Sequence, residues 1–297
     1  MVVLISLDIG RCEMTTKPLA LALVCVFLAT FTVTTANSAS KSNRIRISYE
    51  PPKNPDHQVI YDDMRERHVL EELREFLSPY QLPRTLKIEM AGCDGEADAF
   101  YGDDVITICY EYLMYLWNNK PEKTTPSGIE PIDAVVGPFI DTSLHEFAHA
   151  LFDMLDVPLF GPEEAAADYL AAYIYLQFGK SESRRLIWGT AYAFWFEEQN
   201  RGAWSETEFA DEHGTPLQRA YNVLCIAYGA DMKVFENIVS GGYLPKERAE
   251  YCWEEYEQVE YAYEELIGPH VDKALAKKIF KRSWLSGLEK PEPRKQD

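Results

Sequence analysis

The stretch SLHEFAHALFDML, from Ser143 to Leu155, decides both the fold and the chemistry predicted for this chain. It contains His145 and His149, four residues apart, and Glu146 directly follows the first histidine. Apolar residues recur at helical spacing around them, which predicts an amphipathic helix. Four residues advance a helix by about 400°, so both imidazoles lie one turn apart on nearly the same face. Either they bind one metal ion, or the helix carries two partly buried histidines.

The position of Glu146 favours a catalytic metal site. Its side chain lies about 100° around the helix from His145, at the edge of an ion held by both histidines. From there it is poorly placed as a ligand but reaches a water bound to that ion. Zinc lowers the pKa of such a water towards neutrality. A glutamate beside it can take the proton and pass it to a leaving amine, which is the chemistry of H-E-x-x-H.

A third ligand is expected nearby, because a catalytic zinc ion usually has three protein ligands. The next predicted helix, GPEEAAADYLAA, carries Glu163, Glu164 and Asp168. Glu164 and Asp168 are four residues apart and share a face. We expect Glu164 to bind the metal and Asp168 to accept a hydrogen bond from a zinc-bound histidine. Glu163 is expected to point elsewhere. The alternative is that both glutamates only complement the helix dipole.

H-E-x-x-H followed by E-x-x-x-D on the next helix resembles the gluzincin metallopeptidases, the thermolysin-like clan. The resemblance implies one zinc ion, a catalytic base and an orienting carboxylate, which here are matched by His145, His149 and Glu164 as ligands, Glu146 as base and Asp168 as orienter. The interval between the two motifs is short in this chain, which departs from the thermolysin type.

Two further residues are candidates for binding the substrate. Thermolysin-like enzymes use a histidine to stabilise the oxyanion, and His213, oriented by Asp211 or Glu212, is the candidate here; the alternative is an ordinary loop histidine. In this clan a strand edge beside the zinc helix binds extended peptide through main-chain hydrogen bonds. Tyr110, at the end of VITICY, is the candidate at that edge, and the alternative is a tyrosine of the core.

A narrower resemblance covers most of the chain beyond its first forty residues. It rests on ADAFYGDDVITICYEYL, HEFAHALFDMLDVPLFGPEEAAAD, DEHGTPLQRAYNVLCIAYG and LPKERAEYCWEEY. These stretches are similar to a bacterial family of unknown function that is labelled putative metallopeptidase. The resemblance implies an enzyme class and names no substrate.

The remaining patterns predict an α+β fold: a mainly helical, zincin-like domain with a small N-terminal β-sheet, formed by residues 40–285. Strands are predicted at 44–50, 85–91 and 105–110, a helix at 56–77 and a loop at 92–104. Beyond a polar linker at 118–128, helical segments centre near 132–156, 163–178, 182–201, 215–229, 231–240, 246–265 and 271–284. The tail, 286–297, is predicted to be disordered.

The N-terminal segment has the layout of a secretory signal. KPLALALVCVFLATFTVTTANSAS (17–40) has one cation, an apolar run and then small polar residues. The apolar run is shorter than the about 20 residues that span a membrane. We predict a signal peptide over residues 1–39, with Met14 as an alternative start, and an exported protein, periplasmic or secreted, without an integral membrane span after its removal. An uncleaved N-terminal anchor is the alternative.

Cysteine usage and charge agree with export. Four cysteines follow the signal, and an even number in an exported chain predicts disulfides. Locality favours Cys93–Cys109 and Cys225–Cys252, whereas four free thiols would fit a cytoplasmic protein. The net charge of −19 gives a surface that repels phosphate backbones, which argues against nucleic acid as a partner.

These features predict an exported zinc-dependent peptidase with one Zn²⁺ per chain. It would hydrolyse peptide or protein substrates with a zinc-bound water activated by Glu146. The alternatives are a different zinc hydrolase on the same ligands, or a cell-envelope binding or scaffold protein with a structural or degenerate zinc site. A structural site needs no base and usually closes its fourth position with protein, so Glu146 favours an enzyme.

Overall fold

The computed structural model describes residues 43–285, with an α+β fold that is mainly helical, as predicted. The predicted signal peptide, residues 1–39, and the predicted tail, residues 286–297, lie outside the described residues. Between residues 43 and 285, no helix has the length and apolar character needed to cross a membrane.

The described strands form one mixed sheet, with bounds β1 (Ile45–Tyr49), β2 (Leu86–Ala91), β3 (Ala99–Gly102) and β4 (Val105–Cys109). Their spatial order is β1-β2-β4-β3, so β3 is an edge strand. β1, β2 and β4 run parallel, and β3 is antiparallel to β4. Side chains on β2 alternate between buried and half-buried, as expected for a sheet with its core on one face.

The prediction of a loop at residues 92–104 was wrong for its second half, which contains β3. Asp103 and Asp104, with φ of 50° and 63°, connect β3 directly to β4. A two-residue turn with both φ values positive is the turn that joins two strands of a hairpin, and Asp tolerates it. The acidic, glycine-rich composition of the segment therefore marks a tight turn rather than an absence of strand.

Helices form the rest of the described chain. Their bounds are α1 (Gln58–Glu66), α2 (Val69–Phe76), α3 (Tyr110–Asn119), α4 (Asp133–Met154), α5 (Glu163–Tyr175), α6 (Lys180–Asn200), α7 (Glu206–Phe209), α8 (Pro216–Ala230), α9 (Glu236–Ser240), α10 (Lys246–Ala249), α11 (Cys252–Ala262) and α12 (Lys273–Ile279). The single helix predicted at 56–77 is two helices, because His68 adopts φ of 55° between α1 and α2.

Helix α4 is the centre of the fold and carries the H-E-x-x-H pattern. It packs against α5 and α6 on the helical side, and it also contacts α3, β3 and β4. Most of its residues are buried along its whole length, including His145 and Glu146. A helix that is covered on nearly every side holds its polar side chains in fixed positions. Both histidines are therefore carried by a helix that is packed on several sides.

A pair of glycines allows α4 and α6 to cross closely. A Cβ atom on Gly137 would lie 2.7 Å from the carbonyl oxygen of Leu186, and one on Gly189 would lie 1.9 Å from that of Asp133. Both obstacles are main-chain atoms, which cannot rotate away. The close crossing therefore requires glycine at both positions.

We expect Gly189→Ala to lower the free energy of unfolding by about 1–3 kcal/mol or more, because the added methyl group forces the two helices apart. Denaturant unfolding of both proteins measures this difference. Gly202→Ala is the matched control, since a Cβ atom there meets nothing within 4 Å, and we expect a change within about 0.5 kcal/mol. Equal stability of the two variants would show that the helices do not need this approach.

Two disulfides brace the fold, in the pairings that locality predicts. Cys93–Cys109 joins the segment after β2 to the end of β4, and Cys225–Cys252 joins α8 to α11. Each closes a loop in the unfolded chain and so reduces its conformational entropy.

Candidate metal centre

Three side chains from α4 and α5 converge on one point. The Nε2 atoms of His145 and His149 lie 3.1 Å apart, and the Oε2 atom of Glu164 lies 2.9 Å from the first and 3.3 Å from the second. All three potential ligand atoms lie within 4.8 Å of one another. Helical phase explains this, since the histidines share a face of α4 and Glu164 is in the first turn of α5.

The geometry of this group fits zinc. Tetrahedral ligands at about 2.0–2.1 Å from a zinc ion are separated from each other by about 3.3–3.4 Å. The three observed separations of 2.9, 3.1 and 3.3 Å are close to that value. Two imidazoles and one carboxylate are also a donor set that zinc uses in catalytic sites. The residues present therefore suit the ion.

Asp168 fixes the ring of His145. Its Oδ1 atom lies 2.9 Å from Nδ1 of His145. Arg219, from α8, donates to the same carboxylate from Nε to Oδ2 at 2.8 Å and from Nη2 to Oδ1 at 2.7 Å. Burial raises the pKa of Asp168, but Arg219 and His145 outweigh it and hold the pKa well below its usual range. An ionised Asp168 can only accept, so Nδ1 carries the proton and Nε2 faces the metal position.

His149 is fixed in the same way by Glu163. The Oε1 atom of Glu163 lies 2.8 Å from Nδ1 of His149. The expectation that Glu163 points elsewhere is therefore corrected: it lies on the outer side of His149, where it orients that ring.

The charges around His145 favour a cation at this point. Burial lowers the pKa of His145, but its hydrogen bonds to Asp168 and Glu164 outweigh burial and raise the pKa to about 9. The hydrogen bond with His145 lowers the pKa of Glu164 to about 2. A site that holds a proton this firmly stabilises positive charge, and a bound metal ion satisfies the same carboxylates.

Glu146 directly follows His145 on α4 and is buried. Desolvation raises its pKa to about 7, with Glu164 and Asp98 also raising it and His145 and His149 lowering it. A carboxyl group with a pKa near neutrality both accepts and releases protons readily, as a general base and acid must.

His213 also reaches this group, although it is distant in sequence. Its Nε2 atom lies 2.8 Å from Oε2 of Glu164, and its ring stacks on His145 with centroids 5.9 Å apart. Asp211, one of the two predicted orienters, lies with Oδ1 3.2 Å from Nδ1 of His213. The His213 side chain is 46% exposed, which leaves it open to a bound molecule.

Tyr110 does not join the group. It begins α3 rather than ending a strand, and its side chain is fully buried. Its hydroxyl lies 2.8 Å from the carbonyl oxygen of Glu50 and 3.0 Å from that of Met90. Burial prevents contact with a substrate, so Tyr110 ties β1, β2 and α3 together instead. The free edge of the sheet that packs against α4 belongs to β3.

The sequence analysis did not predict that Arg219 binds Asp168 or that Glu163 contacts His149. Arg219 lies 51 residues from its partner Asp168, and no local pattern marks that pairing. The nearest signal is the capping box of Thr215 and Gln218, which starts α8 and fixes the turn that carries Arg219.

We expect Asp168→Asn to weaken zinc binding by about 10–100-fold, and Arg219→Lys to weaken it by a smaller factor. Each substitution weakens the hydrogen bonding that orients the ring of His145. Competition against a chromophoric chelator measures both affinities. Arg248→Lys is the matched control, since Arg248 makes a similar two-bond contact with Glu255 on α11. Equal zinc affinity in all three variants would mean that Asp168 does not support the ligand.

Comparison with known proteins gives one family. No curated protein and no solved structure matches this chain. A protein family described as "Putative metallopeptidase" matches residues 49–267, which include β2, β3 and β4, the three convergent side chains of α4 and α5, Glu146 and His213. This match spans most of the sequence. The chain therefore belongs to this metallopeptidase family.

Proposed function

We propose that this protein is an exported, zinc-dependent peptidase that cleaves peptide bonds at the centre formed by α4 and α5. The observation that carries the proposal is the convergence of the ligand atoms of His145, His149 and Glu164 beside the buried carboxyl group of Glu146. Membership of a metallopeptidase family supports the same reaction. We further propose that each chain binds one zinc ion.

Glu146 is the proposed general base and acid. When bound, zinc supplies Lewis acidity that lowers the pKa of a water molecule and polarises a carbonyl group. Glu146 takes a proton from the attacking water and later donates it to the leaving amine. Asp168 and Glu163 hold the two imidazoles in position from behind, so that neither ring reorients during the reaction.

His213 and the β3 edge are the proposed substrate contacts. His213 can donate from Nε2 to the oxygen that becomes negative in the transition state, while Asp211 holds its other nitrogen. The free edge of β3 can pair with an extended peptide through main-chain hydrogen bonds. The contact of α4 with β3 places that edge beside the helix that bears the ligands.

Export is supported by the two disulfides, which persist in oxidising compartments and are rare in the cytosol. The alternative localisation, anchored by the N-terminal segment, concerns residues outside 43–285.

A structural zinc site is the second candidate, and the position of His213 is what favours it. With Nε2 2.8 Å from Glu164, His213 could become a fourth protein ligand and close the site. Closed four-ligand sites are structural, whereas catalytic sites keep one position for water or substrate.

A peptide-library digest separates the two candidates. We expect the zinc-loaded protein to cleave peptides, to lose this activity when a chelator removes the metal, and to regain it when zinc is added. Metal analysis should give about one zinc per chain. A protein that binds zinc tightly, unfolds more easily without it and cleaves no peptide in a broad library would support the structural site.

A further inference from the structure

A second group of metal-binding side chains lies on the sheet. The Sγ atoms of Cys93 and Cys109 and one carboxylate oxygen of Glu111 lie within 4.8 Å of one another. Cys93 follows β2, Cys109 ends β4 and Glu111 is in the first turn of α3, so the group sits at the carboxyl ends of parallel strands. Ligands in open sheets of this kind commonly bind at that end.

The disulfide keeps this group from binding a metal. Metals bind the thiolate of cysteine, and here each sulfur is bonded to the other. Reduction would leave two thiols close together, because Cys109 ends β4, Cys93 lies two residues beyond β2, and these two strands pair in the sheet.

Glu111 is already oriented towards the cysteines. Both of its carboxylate oxygens accept from the main-chain N–H of Cys93, at 3.0 and 3.1 Å, and Oε1 also accepts from Gly95 at 3.1 Å. The Oε2 atom accepts only one of these contacts and so retains a lone pair for a cation.

His57 lies beside Glu111 but outside the group of ligand atoms. Its imidazole is buried, and its Nε2 atom lies 3.9 Å from Oε1 of Glu111 and 3.3 Å from Nδ2 of Asn54. A cleft of about 560 Å³, lined by His57, Glu111, Asp94 and Gly95 among others, reaches the group from the side of Glu111.

We propose that this group is a redox-gated metal site, which binds one thiophilic divalent cation, with Zn²⁺ the best fit, through Cys93, Cys109 and Glu111 once the disulfide is reduced. A thiol reductant supplies two electrons; the S–S bond breaks, two thiols form and the reductant becomes a disulfide. Each thiol releases its proton as the thiolate binds the cation. Two sulfurs and one carboxylate oxygen supply three of the four ligands of a tetrahedral zinc ion, and water can supply the fourth.

A metal ion bound at this site would hold the segment between β2 and β3 in position. Cys93 belongs to that segment, which leads into the edge strand that packs against α4. In the oxidised protein the disulfide holds the segment; in the reduced protein the metal ion would hold it instead. Oxidation and metal supply thus become alternative ways of fixing the same element.

Cobalt titration of the full chain tests the proposal, because Co²⁺ bound to thiolate gives a charge-transfer absorption that nitrogen and oxygen ligands do not give. The oxidised protein and the protein reduced with a phosphine, which adds no competing thiol, are titrated with Co²⁺. We expect about one metal per chain before reduction and about two after it, with the charge-transfer band only after it. Glu111→Gln should weaken binding at the second site by at least about tenfold.

Two matched double variants show which cysteines give the charge-transfer band. Cys93→Ser/Cys109→Ser should abolish it, whereas Cys225→Ser/Cys252→Ser should retain it; both keep Cys12 and Cys25, so the difference isolates the proposed cysteines. The proposal is overturned if reduction adds no second metal or if the band survives in the first variant. It is equally overturned if reduction unfolds the chain, as followed by circular dichroism, and zinc does not restore the helical signal.

Discussion

Replacing Glu146 by glutamine is expected to reduce peptide hydrolysis by about 10²–10⁴-fold while the protein keeps its fold and its zinc. The amide is the same size as the carboxyl group but cannot accept a proton from the attacking water. The fold should survive, because desolvation already disfavours the charged form of this buried carboxyl group. Zinc should stay because His145, His149 and Glu164 are unchanged.

Steady-state kinetics on zinc-loaded proteins measure this loss. We expect kcat to fall and KM to change little, since Glu146 acts mainly in the transition state. Glu146→Asp is a useful control, because it keeps a carboxylate but withdraws it by one methylene. Its activity should lie between those of wild type and Glu146→Gln. Equal rates for wild type and Glu146→Gln at equal zinc content would remove Glu146 from catalysis.

Replacing Glu164 by alanine is expected to have the largest effect on metal binding, a loss of more than about 100-fold in zinc affinity. Glu164 contacts both Nε2 atoms, so its removal leaves two of the three proposed ligands. The loss should exceed the about 10–100-fold typical of residues that only orient a ligand. Activity should disappear with the metal. Isothermal titration with zinc on metal-free protein measures the affinity directly.

The neighbouring residue supplies the matched control. Glu163→Ala changes the same kind of side chain one position earlier, but removes only the support of His149 at Nδ1. Because that carboxylate is 54% exposed, we expect a loss of about tenfold or less. If Glu163→Ala removed zinc and Glu164→Ala did not, the assignment of the third ligand from helical phase would be wrong.

Local patterns were sufficient for those features whose partners lie within a few residues. Helical spacing predicted α4, and β-branched alternation predicted β1, β2 and β4. The four-residue spacing from Glu164 to Asp168 anticipated that both would face the histidines of α4, as they do in the structure. The periods of helix and strand are fixed by backbone geometry, so the spacing of residues in the sequence predicts which side chains share a face.

Predictions from local sequence patterns were wrong where a turn or a neighbouring element determined the local structure. The acidic segment before β4 resembled a loop, but Asp103 and Asp104 fold it into a hairpin and add β3. Tyr110 resembled the end of a strand, but α3 starts there and buries it. In both cases the decisive fact was a backbone angle or a neighbouring element, neither of which periodicity reports.

By itself, the sequence determined a helix with two histidines on one face, a glutamate beside them and a second helix bearing carboxylates at matching spacing. Only the tertiary structure decided that Arg219 clamps Asp168 and that His213 reaches Glu164, across 51 and 49 residues of chain. It also placed His57 beside Glu111. Such contacts depend on how helices and strands pack, and packing is set by the summed burial of many side chains rather than by any local pattern.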